Sequence, residues 1–332
     1  MEKLVTINSL PSPKKQRLRF LAKFIVAQHT IIVLILLLIV LCVVVGYLIP
    51  SFLTFRNLTN VLRQVSITAI IATGMTFVII TRGIDISIGS IVALCGVIAA
   101  LAIKSNIPIF PSILLALIVG IVVGLFNGVL VAYGRVLPFV ATLGTMYLIR
   151  GGVLIISKGQ AIWDLPSQFV KIGTGYFLGI PIPVITMFVI YALGHVLLKY
   201  FTFGRYVFCI GGDEESARLC GIPVRKIKLL TYGLCGLLSG VAGVALAGRL
   251  GSGQPSVGQG YELTAIAAAV IGGNSLSGGK GSIFGTLIGS FILGVVSNAL
   301  NLWGVATFFQ IVVTGGIVIV AVLADKLKKN ED

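Results

Sequence analysis

The apolar positions of this chain fall into long blocks separated by short clusters of glycine, proline and charge. Cutting at those clusters predicts about ten spans, at 31–49, 64–81, 88–103, 112–133, 137–156, 183–201, 229–248, 262–274, 283–302 and 307–324. Ile31 to Ile49, Ile113 to Ala132 and Ile283 to Leu302 contain no Asp, Glu, Lys or Arg. Each is about the length that crosses a ~30 Å hydrocarbon core as a helix. The eighth block is too short to cross as a simple helix, which predicts a broken or re-entrant segment there. The expected fold is all-α: a polytopic membrane protein of about ten transmembrane helices.

Composition agrees with a chain whose solvent is the bilayer: 57% of residues are hydrophobic, 11% are charged, and the mean hydropathy is +1.08. The 41 glycines suit close approach between membrane helices. A net charge of +15 would point a soluble protein toward nucleic acid, but here the basic residues lie in short loops beside apolar runs. No basic stripe is interleaved with aromatics, so no nucleic-acid partner is expected.

The basic residues do orient the chain. Threading the spans alternately from a cytoplasmic N-terminus puts eighteen of the 25 Lys and Arg residues inside and seven near the outer ends. This predicts a cytoplasmic tail over 1–30, a transmembrane domain over 31–325, and a cytoplasmic tail over 326–332. The longest polar segments are an outer loop at 158–182 and an inner loop at 203–228. The basic stretch before Ile31 is similar to a signal-peptide n-region, but the apolar run after it is too long and no small-residue cleavage site follows, so it reads as retained.

Two internal echoes predict pseudo-repeated halves. Thr68-Ala69-Ile70 followed by Gly89-Ser90-Ile91 is echoed by Thr264-Ala265-Ile266 followed by Gly281-Ser282-Ile283. A second echo pairs Asn127, Gly134 and Phe139 with Asn298, Gly304 and Phe309. Paired interruptions in two halves mark duplicated transporters, whose pathway lies at the repeat interface.

Three motifs carry chemistry. In the inner loop, Asp213 is a good N-cap, Glu214 and Glu215 lie where the helix dipole favours acids, and Gly221 with Pro223 is a stop signal. The result is a short self-capped helix, with Ala217 and Leu219 available for contact, able to dock into a groove of a soluble partner. Its acidic first turn suits a basic groove. In Thr81–Ser90, Asp85 is costly in hydrocarbon and should cap a helix start, a place that either Asp85 or Ser87 can fill, pair with an arginine, or line a wet cavity. Gly272–Ser282 has the look of a phosphate loop, but Asn274 stands five residues before Gly279 and Gly281 follows Lys280, so the Walker A spacing fails.

These three stretches, in this order, closely resemble the ribose/galactose/arabinose-type permease family of ABC importers, over about Phe52 to Asp325. That family usually shows a Thr-Ser-Gly-Ile-Asp-Leu-Ser-like run, where this chain has Arg82 in place of the small residue before Gly83. The resemblance implies that Glu214, Glu215, Ala217, Arg218 and Gly221 form the coupling helix that seats against a cytoplasmic ABC ATPase. It implies further partners: an extracytoplasmic sugar-binding protein and a second permease copy or paralogue, all in or at the lipid bilayer of a bacterial-type inner membrane. No cofactor is expected on this chain, ATP being bound by the partner.

Pathway candidates are Asp85, Ser87, Asn127, Phe139, Asn274, Asn298 and Phe309, polar or aromatic residues near spans or interruptions. Each type also serves as interhelical glue or packing. The five cysteines lack C-x-x-C spacing, and His29 and His195 lack metal-ligand companions, so neither a metal nor a catalytic nucleophile is expected. An ion-coupled secondary transporter is the alternative; it would need carboxylates to receive the ion, and only Asp85 and Glu262 lie near interruptions.

Overall fold

The computed structural model describes residues 13–331, with side chains described from Ile31 onward except at 307, 324–325 and 327–331. Residues 1–12 and 332 of the two expected tails lie outside the described residues. In chain order the elements are α1 (Pro13–Leu48), a 3-10 turn (Pro50–Leu53), α2 (Phe55–Ile80), α3 (Ile88–Lys104), α4 (Ile109–Ala132), α5 (Pro138–Ser157) and α6 (Ser167–Thr174). A two-residue hairpin, β1 (Tyr176–Phe177) and β2 (Ile180–Pro181), leads to α7 (Ile182–Tyr200), α8 (Thr202–Gly212) and α9 (Glu214–Leu219). The chain closes with α10 (Val224–Leu250), α11 (Tyr261–Ile271), α12 (Ile283–Leu302) and α13 (Thr307–Glu331).

Among the described residues, seven helices are long and apolar enough to cross a membrane: the Ile31–Leu48 part of α1, α2, α4, α5, α7, α10 and α12. Three shorter apolar segments, α3, α11 and Phe308–Leu323 of α13, complete the ten predicted blocks. The helix backbone of α1 reaches back to Pro13 and that of α13 forward to Glu331, so much of the predicted tails is helical. The segment at 158–182 also carries α6 and the hairpin, and that at 203–228 carries most of α8 before α9.

The register that pairs Asn127 with Asn298 and Gly134 with Gly304 pairs α2 with α10, α3 with α11, α4 with α12 and α5 with α13. The packing follows the same pairing. Helix α10 lies against α3 and α4, while α2 lies against α11 and α12, so each half lends its first helix to the other, and α2 and α10 meet at the centre. The other echo does not survive: Thr68–Ile70 lies within α2 but Thr264–Ile266 lies in α11, whose counterpart is α3. That likeness is one of local sequence between helices that are not counterparts.

Burial explains the centre. The best apolar windows of α2 and α10 are 83% and 72% buried, against 22% for α4 and 28% for α5, whose outer faces carry large exposed apolar side chains. Without a hydrophobic force between helices in lipid, small residues let backbones close up. On α4, Gly120, Gly124 and Gly128 recur every four residues on the face toward α10. A Cβ at Gly128 would lie 2.9 Å from the Leu229 Cα, and one at Gly236 would lie 2.9 Å from the Gly124 Cα.

Candidate functional site

At the end of α2 the chain breaks over 81–87 before α3 restarts. Arg82 takes the left-handed conformation there, with φ of 61°. Asp85 is wholly buried. Its Oδ1 accepts from the Ser87 N–H at 3.0 Å and from the Ser87 hydroxyl at 2.6 Å, an Asx-type turn that shapes the helix start. Asn127 on α4 donates through Nδ2 to both Asp85 oxygens, at 3.3 and 3.4 Å, and to Ser87 Oγ at 2.8 Å. Thr142 on α5 accepts from the Ile86 N–H at 3.2 Å, and the Tyr232 hydroxyl on α10 donates to the Ile84 carbonyl at 3.3 Å. Backbone freed by the break is thus satisfied from two neighbouring helices, α5 and α10, and its polar side chains from a third, α4, the condition for non-helical chain at membrane depth. The Asn127 Oδ1 and Ser90 Oγ are buried without a partner among the described residues.

The second break, over 272–282, is closed by Asn274. Its Nδ2 donates to the Ala269 carbonyl at 2.6 Å and to Thr286 Oγ1 at 2.7 Å, and its Oδ1 accepts from the Ser282 N–H at 2.7 Å. Ser282 in turn caps α12 through the Gly285 N–H. Thr286 also bonds Thr76 at 2.7 Å, which ties this break to α2.

Both breaks meet α8 at one junction. The Gly279 N–H donates to the Ile80 carbonyl at 3.0 Å, Arg82 Nε donates to the Gly211 carbonyl at 2.8 Å, and Arg82 Nη2 donates to the Gly212 carbonyl. The guanidinium therefore sits at the negative end of α8, where a cation is favoured. Gly279 is forced here, with φ of 72° and a Cβ position only 2.9 Å from the Gly212 Cα.

Helix α9 follows directly. Asp213 caps it by accepting from the Ser216 N–H at 2.7 Å, and the Ser216 bonds hold the Asp213 carboxyl below its ordinary value. Gly221, at φ of 79°, ends it while the Ile222 N–H returns to the Ala217 carbonyl at 3.1 Å. Glu214 is bound by Lys228 at 2.6 Å and Glu215 by Arg218 at 3.3 Å, so the acidic first turn is already neutralised within the chain. Ala217 turns inward and is buried, because it seats α9 on its own core; as a direct outward contact it is corrected. Leu219 is 80% exposed and is the apolar side chain that α9 presents.

Of the pathway candidates, Asp85, Ser87 and Asn127 form one cluster, and Asn274 forms a second on the same side of the molecule. Asn298 does not join them: it pairs with Asn57 through reciprocal bonds of 2.9 and 3.0 Å at the opposite ends of α2 and α12. Phe139 and Phe309 have exposed side chains in the first turns of α5 and α13. Tyr232, Thr76 and Thr286 complete the networks but sit inside apolar runs that carry no local sign of a role.

Ten apolar segments in two units that exchange helices, with a capped helix hung beneath both breaks, define an integral-membrane transport permease. Over residues 57–322 the chain matches the family described as the branched-chain amino acid transport system / permease component, and it belongs to that family. It is 48% identical to the ribose import permease protein of Bacillus subtilis, over 87% of this chain and 90% of the relative. It is 44% identical to the ribose import permease protein of Haemophilus influenzae (92% and 94%) and 38% identical to the L-arabinose ABC transporter permease protein of Azospirillum brasilense (90% and 88%). No solved structure matches the chain.

Proposed function

We propose that this chain is the membrane-spanning permease of an ATP-binding-cassette importer that carries a ribose-like sugar inward. The observation that carries the coupling half of this reading is the junction of Arg82, Gly279 and the end of α8 beneath α9. A partner that moves α9 moves α8, and through it both breaks, the one that carries Asp85 and Ser87, the partners of Asn127, and the one that carries Asn274, the partner of Thr286. The sugar half is supported by identity to ribose and arabinose permeases over nearly the whole chain.

In this reading α9 faces the cytoplasm with both chain termini, as the bias of lysine and arginine toward that side favours. The chain holds no ATPase site of its own. A separate cytoplasmic ATPase seats on α9, a sugar-binding protein delivers to the face that carries α6, and a second permease copy or paralogue completes the pathway. The test is ATP hydrolysis by the purified assembly in lipid nanodiscs. Ribose-loaded binding protein is expected to raise the rate severalfold with the wild-type permease, and the rise should vanish with Leu219→Ser. A rise of the same size in that variant would sink the assignment of α9.

A further inference from the structure

Beside α9, between the α4–α5 turn and the first turn of α10, lies an open cavity of about 740 Å³. Six cations line it, Arg82, Arg135, Arg218, Arg225, Lys226 and Lys228, against the single acid Glu214. Lys228 is engaged by Glu214 and Arg218 by Glu215. Among the described residues, no carboxylate lies within ion-pair distance of Arg135, Arg225 or Lys226. Arg225 instead stacks over the Tyr133 ring at 5.7 Å.

The placement of these charges is unfavourable in the isolated chain. Helix α10 is 27 residues long, has no side-chain cap and carries no acid in its first turn, yet Arg225, Lys226 and Lys228 crowd its positive end. An exposed arrangement that costs the free protein and keeps its charges unanswered is answered by something that binds.

We infer that this cavity receives acidic side chains of the ATPase, so that the partner surface opposite the α4–α5 turn is acidic. The inference rests on the docking of the ATPase at α9 and gives the chemistry of that interface. Two observations select a protein surface. The cavity wall includes Glu214 and Arg218 of α9 itself, so whatever seats on exposed Leu219 extends over the cavity. In addition, the acids of α9 are neutralised internally, which leaves the net charge of the whole face positive rather than negative. The sequence had suggested a basic partner groove; the ion pairs reverse that.

The experiment measures binding of the separately purified ATPase to the full-length permease in nanodiscs as a function of salt. With Arg225→Gln and Lys226→Gln combined, affinity is expected to fall at least tenfold at low salt and the salt dependence to flatten. Permease alone should melt at the same or a higher temperature, because cations have left the positive end of α10. Leu219→Ser is the reference and should abolish binding at every salt concentration. Wild-type affinity and salt slope in the double variant, with Leu219→Ser unable to bind, would overturn the acidic contact and leave α9 docking intact. Loss of co-purifying anionic phospholipid by mass spectrometry, with ATPase affinity unchanged, would overturn it in favour of a lipid headgroup. Normal binding by Leu219→Ser would remove α9 docking and this inference with it.

Discussion

Arg82 and Gly211 lie 129 positions apart in the chain, and the arginine Nε reaches the glycine carbonyl at 2.8 Å. The bond joins the first break to the last turn of α8, two residues before Asp213 caps α9. Arg82 holds this position from a left-handed backbone that costs a side-chain-bearing residue about 1–2 kcal/mol. Arg82→Gly removes the strain and the bonds together, whereas Arg82→Ala removes only the bonds. Purified Arg82→Gly permease should therefore melt above Arg82→Ala, by about 1 kcal/mol of stability. Both should transport less sugar per ATP hydrolysed than wild type. Equal melting of the two would show that the backbone at 82 is unstrained.

The buried Asp85 depends on Asn127. Asn127→Leu withdraws one donor from the Asp85 carboxyl and from Ser87, a loss of about 1–2 kcal/mol for buried acceptors. Asp85→Asn in the same background should recover part of it, since a neutral group needs fewer donors. Additive losses in thermal unfolding would mean that the two side chains are independent.

Glycines at the α4–α10 contact and on open faces should respond in opposite ways. A Cβ at Gly124 would meet the Gly236 Cα at 3.0 Å and overlap the Tyr232 carbonyl, whereas one at Gly144 on α5 meets nothing within 4 Å. Gly124→Val should abolish the monodisperse peak in fluorescence-detected size exclusion, and Gly144→Val should preserve it. Comparable profiles would contradict the close packing of α4 on α10.

The cap of α9 carries a pH dependence. The Ser216 bonds hold the Asp213 carboxyl below its ordinary value, so the stabilisation is fully present above that ordinary value and is lost as pH falls through the depressed one. Hydrogen exchange over 214–219 should thus stay protected through the ordinary aspartate range and weaken only at more acidic pH. Asp213→Ala should be unprotected throughout. A wild-type loss of protection well above the aspartate range would assign the dependence to another group.

The spans were legible because each apolar block is long and its boundaries are marked by Gly, Pro or charge, and α9 was legible because Asp213 and Gly221 are caps read locally. A helix start near Asp85 and Ser87 was legible in the same local way, whereas the turn that Asp85 makes onto Ser87 and its bond to Asn127 were not. What escaped depends on distance: Asn57 with Asn298 and Arg82 with Gly211 are set by how helices cross, and no local pattern encodes a crossing. Helix α6 escaped because its eight residues are too few for a hydropathy block. The inward turn of Ala217 follows from packing on the core, which an alternation of charge along α9 does not reveal.

Uptake in proteoliposomes tests the central claim most directly. Permease, its ATPase and its sugar-binding protein should accumulate labelled ribose only when ATP is supplied on the α9 side. Permease alone under an imposed proton or sodium gradient should not. Accumulation by the lone permease, driven by the gradient, would contradict an ATP-driven importer and place Asp85 at an ion-coupling site instead.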